Sequence, residues 1–190
     1  MGAQHQIAVV QGAPSAVVQK LLGSFVAELP KSVRVAGVIE NLLDTAGEAC
    51  SVGQLRSIGD GRTFSIAQDL GGASSACKVD AGGIVAACEA VCRAIDAGCD
   101  LVVLSKWGKV EADRSGLAAA FAAAVDAGVP ILTSVAPRFT SAWEQFAAPM
   151  FVILPPQLSS LADWWRDQAA HGIATATAAT NAAREAGPTL

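Results

Sequence analysis

Short apolar runs alternate with alanine-rich helical stretches along most of this chain, and few folds accommodate that alternation. Ile7 to Val10 reads as a strand, Ala16 to Leu29 as a helix and Val33 to Ile39 as a second strand. The later half repeats the pattern more clearly: a helix from about Gly82 to Ala97, a strand Leu101 to Leu104, a helix Gly116 to Ala127 and a strand Pro130 to Val135. Gly98 and Gly128 follow two of these helices, where the left-handed position after the last turn favours glycine. Strand, helix, strand in succession is the mark of βαβ units, so the pattern predicts an α/β fold with a mainly parallel sheet. Strand Phe151 to Leu154, closed by Pro155-Pro156, and helix Leu158 to Ala170 complete it.

The alternation breaks between about Asn41 and Asp80, where the sequence turns polar and glycine-rich. Gln54 to Ile58 and Thr63 to Ala67 flank Gly59-Asp60-Gly61-Arg62, which predicts a small β-hairpin inserted into the core, with Leu70 to Asp80 as a flexible loop beyond it. A chain of 190 residues suits one such domain. The expected organisation is a single α/β domain over 1–172, its insertion at about 41–80, and a C-terminal tail over 173–190 of mostly small or polar residues.

Composition narrows the function classes. The longest apolar run, near Leu117 to Val125, is about half of the ~20 residues a membrane helix needs, so no membrane span is expected. The start MGAQHQIAVV lacks a basic segment and runs into a strand, unlike a secretory signal, and this predicts a cytoplasmic protein. Five cysteines with no paired spacing fit that setting. A net charge of -4 without a basic cluster argues against a nucleic-acid partner. With 52% apolar and only 16% charged residues, apolar surface should remain after the core is filled, and a homo-oligomer would cover it.

Two strand ends carry the candidate chemistry. The first, Gln11-Gly12-Ala13-Pro14-Ser15, lies where phosphate-binding loops occur. A working loop of the form GxxxxGK[ST] needs a second glycine, a lysine and a hydroxyl, but counting from Gly12 those places hold Val17, Val18 and Gln19. Without that lysine and the magnesium-binding hydroxyl, triphosphate hydrolysis loses its main electrostatic support. Backbone N–H groups around Gly12, Ala13 and Ser15 at a helix N-terminus still suit a smaller anion. The alternative is an ordinary turn with Ser15 as the N-cap.

The second is the loop after Leu101 to Leu104, SKWGKVEADRSG, with Lys106, Lys109, Glu111, Asp113 and Arg114 ahead of a helix starting at Gly116. Three cations near a helix N-terminus can form an anion site by charge and dipole together. The competing reading is a solvated loop whose charges pair locally, Lys109 with Asp113 for example, each pair contributing only ~0.2–1 kcal/mol.

Other motifs are bland. Cys88 and Cys92 sit one helical turn apart on an apolar stripe, where free cysteine behaves as a small hydrophobe. His5 and His171 lack partners at ligand spacing, so no zinc site is predicted. Neither a GxSxG elbow nor an HExxH helix occurs.

Taken together, the Gly12 loop, QDLGGASSACKVDAGG from Gln68 to Gly83, and DLVVLSKWGKVEADRSGL followed by VPILTSVAPRFTSAW resemble a bacterial family of unknown function, over most of the chain to about Trp165. Members of that family are often encoded beside molybdate-uptake genes. The family is similar in turn to small P-loop nucleoside-triphosphatases, in which the corresponding strand runs into an Asp-Glu pair and then a glycine, a lysine and a glutamate. Gly108, Lys109 and Glu111 fit that pattern, while Ser105 and Lys106 stand where the acidic pair would be.

The resemblance implies a three-layer, P-loop-NTPase-like α/β fold, with the hairpin as an insertion. It also implies a degenerate site that binds an anion without hydrolysis, molybdate or tungstate being the candidates and a nucleotide the lesser one. Anion contacts are expected from Gly12, Ala13, Ser15, Lys106, Lys109 and Arg114, with Arg62 or Gly71-Gly72 as a lid. Two alternatives stay open: a nucleotide hydrolase using Glu111 or Asp69 to orient water, and an interaction module on a dead NTPase fold.

Overall fold

A computed structural model of the chain describes residues 5–41, 53–66 and 81–170. The elements in chain order are β1 (Ile7–Val10), α1 (Ser15–Glu28), β2 (Val35–Asn41), β3 (Gln54–Ser57), β4 (Thr63–Ser65), α2 (Ala81–Asp96), β5 (Leu101–Leu104), α3 (Lys109–Ala112), α4 (Ala118–Asp126), β6 (Ile131–Ser134), a 3-10 turn at Pro137–Phe139, α5 (Thr140–Ala147) and β7 (Phe151–Leu154). A further helix, α6, covers 158–170.

All seven strands form one sheet in the order β4-β3-β2-β5-β6-β1-β7. The five strands from β2 to β7 in that order are parallel, and the β3–β4 hairpin extends the sheet antiparallel past β2. Successive side chains on a strand point to opposite faces, and both faces are covered here. Ile7 and Val9 join Ala87, Val91 and Ile95 of α2, Phe121 of α4 and Trp143 of α5. Ala8, Val10 and Leu132 join Val18, Leu22 and Phe25 of α1, and Leu161 and Trp164 of α6. The result is three layers, and it explains why β1, β5 and β6 are buried at every position: no residue of such a strand faces water.

One glycine is required within the sheet. Gly37, in β2, has φ +135°, and a Cβ there would collide with the Val103 carbonyl.

The connections from β1 and β6 leave in opposite directions. Helix α1 carries the chain from β1 across one face toward β2, and α5 carries it from β6 to β7 on the other side of β1. Adjacent strands whose connections diverge in this way leave a crevice beyond their carboxyl ends, where ligands of open α/β sheets bind.

Several expected boundaries shift. The loop after β5 contains the short helix α3, and the next helix begins at Ala118 instead of Gly116. Helix α5 occupies residues that the strand–helix alternation left unassigned. Pro14, not Ser15, holds the N-cap position of α1, and no side chain caps that end. Among the described residues, no helix is long and apolar enough to cross a membrane. The expected flexible loop, the Gly71-Gly72 lid, Asp69 and the C-terminal tail lie outside the described residues.

Candidate functional site

The floor of the crevice is a set of hydrogen bonds that lock three strand ends together. Trp107 N–H donates to the Ser134 carbonyl at 2.7 Å, and Trp107 pairs in parallel with Val135, extending the β5–β6 ladder past both strands. Gln11 Nε2 donates to the Val135 carbonyl at 2.9 Å, tying the end of β1 to β6. Ser134 Oγ donates to the Ser105 carbonyl at 2.9 Å, tying β6 to β5. Above this floor opens a cavity of about 730 Å³.

Its first wall is the turn from β1 into α1. Gly12 takes φ +100°, a conformation natural to glycine, and Pro14 then starts the helix with its carbonyl accepting from Val17 at 3.0 Å and Val18 at 3.1 Å. A helix leaves its first N–H groups without intrahelical partners, so Ser15 and Ala16 present theirs at this end, while Pro14 has none to offer. Only Gln11 to Pro14 separate β1 from α1. Val18, at the lysine place of a phosphate loop, is 2% exposed and packs into the core.

Gln19 stands at the place of the magnesium-binding hydroxyl and is fully buried. Its Nε2 donates to the Ser105 carbonyl at 2.6 Å, and its Oε1 accepts from Glu40 N–H at 3.0 Å. One side-chain amide therefore joins α1 to the ends of β5 and β2, in the space between the two positions that hold a metal in a working NTPase.

Lys106 is equally committed. Val38 of β2 pairs with Leu104 of β5, so Glu40 and Lys106 both follow two residues beyond one register pair. The Lys106 Nζ meets Glu40 Oε1 in an ion pair whose carboxylate side is 14% exposed. Lys106 lines the cavity with its charge already engaged.

Glu111 has both oxygens in use. Its Oε2 accepts from Gly108 N–H at 2.9 Å and its Oε1 from Leu117 N–H at 3.1 Å, folding the loop around α3. It is buried and staples the backbone, one accepted hydrogen bond on each oxygen. Gly116 lies against it with φ +60°, and a Cβ there would strike Glu111 Oε1.

The cavity thus gathers Gly12, Ala13, Ser15, Lys106 and Lys109. It does not gather Arg114, which is exposed just after α3 with φ 58°. Nor does it gather Arg62. Because β3 runs back along β2, with Asn41 opposite Gln54 and Val38 opposite Ser57, the hairpin turn lies toward the start of β2, at the opposite end of the sheet. There Arg62 pairs with Asp60, so it cannot cover the cavity. Arg138, by contrast, was not expected and does line the cavity. It follows β6 on the 3-10 turn, its guanidinium 4.9 Å from the centre of the Phe139 ring. Its place in the loop after an apolar strand, as Lys106 has after β5, is the available signal.

Among the described residues the lining contains three cations and no carboxylate. No group of three or more His, Cys, Asp or Glu that could hold a metal ion occurs among them either. Neither Lys109 nor Arg138 forms an ion pair among the described residues. Such a lining favours an anion and offers a divalent cation no charged ligand.

Comparisons agree with this architecture. The profile of a family described as "Protein of unknown function (DUF2478)" matches residues 7–164. The chain is also 34% identical, over 166 residues, to a protein of Bradyrhizobium diazoefficiens named "Molybdenum import ATP-binding protein ModC 2". That match covers 86% of the chain but only 18% of the relative, so the chain spans less than a fifth of the relative's length. No solved structure matches the chain significantly.

Proposed function

The chain belongs to the DUF2478 family of proteins of unknown function, and from that premise we propose that it binds a tetrahedral oxyanion in the β1–β5–β6 crevice, without a metal and without hydrolysis. The observation that carries this reading is the lining itself: two unpaired cations, Lys109 and Arg138, beside a helix N-terminus, with no carboxylate among the described lining residues. Backbone N–H groups near Gly12, Ala13 and Ser15 donate to the anion, and Lys109 and Arg138 supply the charge. Molybdate and tungstate are the favoured anions, since a relative carries molybdenum import in its name.

Hydrolysis of a nucleoside triphosphate is disfavoured by the same geometry. The lysine place holds buried Val18, the hydroxyl place is spent in the Gln19 clamp, and Glu111 is bonded to backbone. A second reading draws on the relative's length. There the similar stretch is part of a much longer import ATP-binding protein, which supports a role beside an import ATPase as a binding module. Co-purification of this chain with such a subunit tests that reading.

The direct test of the first is calorimetry of the purified chain with molybdate, tungstate, sulfate and phosphate, repeated on Lys109→Ala and Arg138→Ala. Saturable binding that falls at least about tenfold in each variant supports the proposal. Binding of none of the four anions removes it.

A further inference from the structure

We propose that this cavity also takes an oxyanion group carried on an apolar, ring-sized organic body, and holds such an organic oxyanion more tightly than a bare one. The inference rests on the anion-binding reading and names the ligand class of the same site.

Size makes the first argument. A tetrahedral oxyanion takes up the space of two or three waters, roughly a tenth of the cavity. The cavity holds about 730 Å³, within the range that takes a drug-sized ligand. Once the anion sits against the α1 N-terminus and the cations, most of the volume is still to be filled.

The wall chemistry makes the second. Ala136, Pro137 and Phe139 present apolar surface to this space, with the nearly fully buried Val10, Val18 and Val135 beneath it. A cluster of oxo-metal units would fill the volume, but it presents oxygen in every direction and would lose hydration against these side chains without recovering hydrogen bonds. A ring loses nothing there and gains by leaving water. Charge at one part of the lining with apolar side chains over the rest is the arrangement by which organic-ligand pockets fix orientation while burying the body. Bare molybdate would then occupy the head-group position alone and bind more weakly.

The experiment is calorimetry of the full chain with inorganic phosphate, phenyl phosphate and adenosine 5′-monophosphate, alongside molybdate. Phenyl phosphate is expected to bind at least about tenfold more tightly than inorganic phosphate, the gain expected for burying a ring. Ala136 is exposed and lines the cavity. Ala136→Trp, which fills the body's space, should abolish that advantage while leaving inorganic phosphate unchanged, and Phe139→Ala should reduce it if the first variant folds poorly. Adenosine monophosphate binding a further tenfold tighter would identify the body as a nucleoside, and equal affinity would identify it as a simple ring. Phenyl phosphate binding no tighter than inorganic phosphate, with molybdate and phosphate both bound, overturns this inference and leaves the anion reading standing. Binding of none of them removes the anion reading itself.

Discussion

Gln19 Nε2 donates to the Ser105 carbonyl at 2.6 Å while its Oε1 accepts from Glu40 N–H, so one buried amide holds α1, β2 and β5 in register at the ligand end of the sheet. In a metal-dependent relative of this fold the same two positions would face a cation. Here they face each other, and the carbonyl of Ser105 also accepts from Ser134 Oγ. Both hydrogen bonds are internal to the protein.

The clamp should be worth measurable stability. Gln19→Leu keeps the volume but strands the Glu40 N–H, and it removes one of two donors to a buried carbonyl. A loss of about 1–3 kcal/mol in urea denaturation is expected. No loss would mean that the amide bonds contribute nothing net.

Glu111 gives a second structural prediction. Gly116→Ala combines φ +60° with contact against Glu111 Oε1 and Val110, and should cost about 1–3 kcal/mol. Glu111→Gln places an NH2 group against one of two N–H donors, at Gly108 or Leu117, and should cost a similar amount. Both variants should lower the thermal midpoint. A Glu111→Gln protein of unchanged stability would argue against the staple and revive a chemical role for this carboxylate.

How much of this was legible in the sequence follows from the range of each interaction. β1, β5 and β6 announce themselves because a strand buried on both faces is apolar throughout. Helix α3 has four residues, too few for any periodicity to appear. The cations after β5 could be found by position, but the partner of Lys106 could not: Glu40 lies on another strand, and only the β2–β5 register brings them together. Charge along the sequence points Arg114 to the site, yet it does not line the cavity, and the hairpin register carries Arg62, the expected lid, to the other end of the sheet. Arg138 was passed over because it stands alone, although the strand order delivers it to the crevice.

The Glu40–Lys106 pair leads to a binding prediction. Glu40→Gln should release Lys106 to the cavity and tighten anion binding by about tenfold, the effect of one added charge near a partly shielded site. Glu40→Gln combined with Lys106→Ala removes the pair without changing the net charge, and should bind like the parent within about threefold. A large loss in the double variant would show instead that Lys106 contacts the anion while paired.

Acid sensitivity should come partly from the far end of the sheet. The Ser57 hydroxyl, then the Arg62 backbone N–H and guanidinium, hold the Asp60 carboxyl down to about 2. The Arg34 side chain likewise lowers Asp100, where the chain enters β2 and β5. A carboxyl depressed in the folded state stabilises above its unfolded value, about 3.9, and that contribution disappears as pH falls through the folded value. Urea midpoints should therefore be level from pH 7 to about 5 and decline between about 4 and 2. Asp60→Asn and Asp100→Asn should each start lower and decline less steeply, and parallel curves for parent and variants would contradict the assignment.

Metal dependence separates metal-free anion binding from nucleotide hydrolysis. Molybdate affinity should be measured by calorimetry in EDTA and again in millimolar magnesium, with phosphate release from ATP followed in the same preparations. A metal-free anion site should bind molybdate saturably with the same dissociation constant in both conditions and release no phosphate. Binding that appears only with magnesium, or steady ATP turnover, would contradict it.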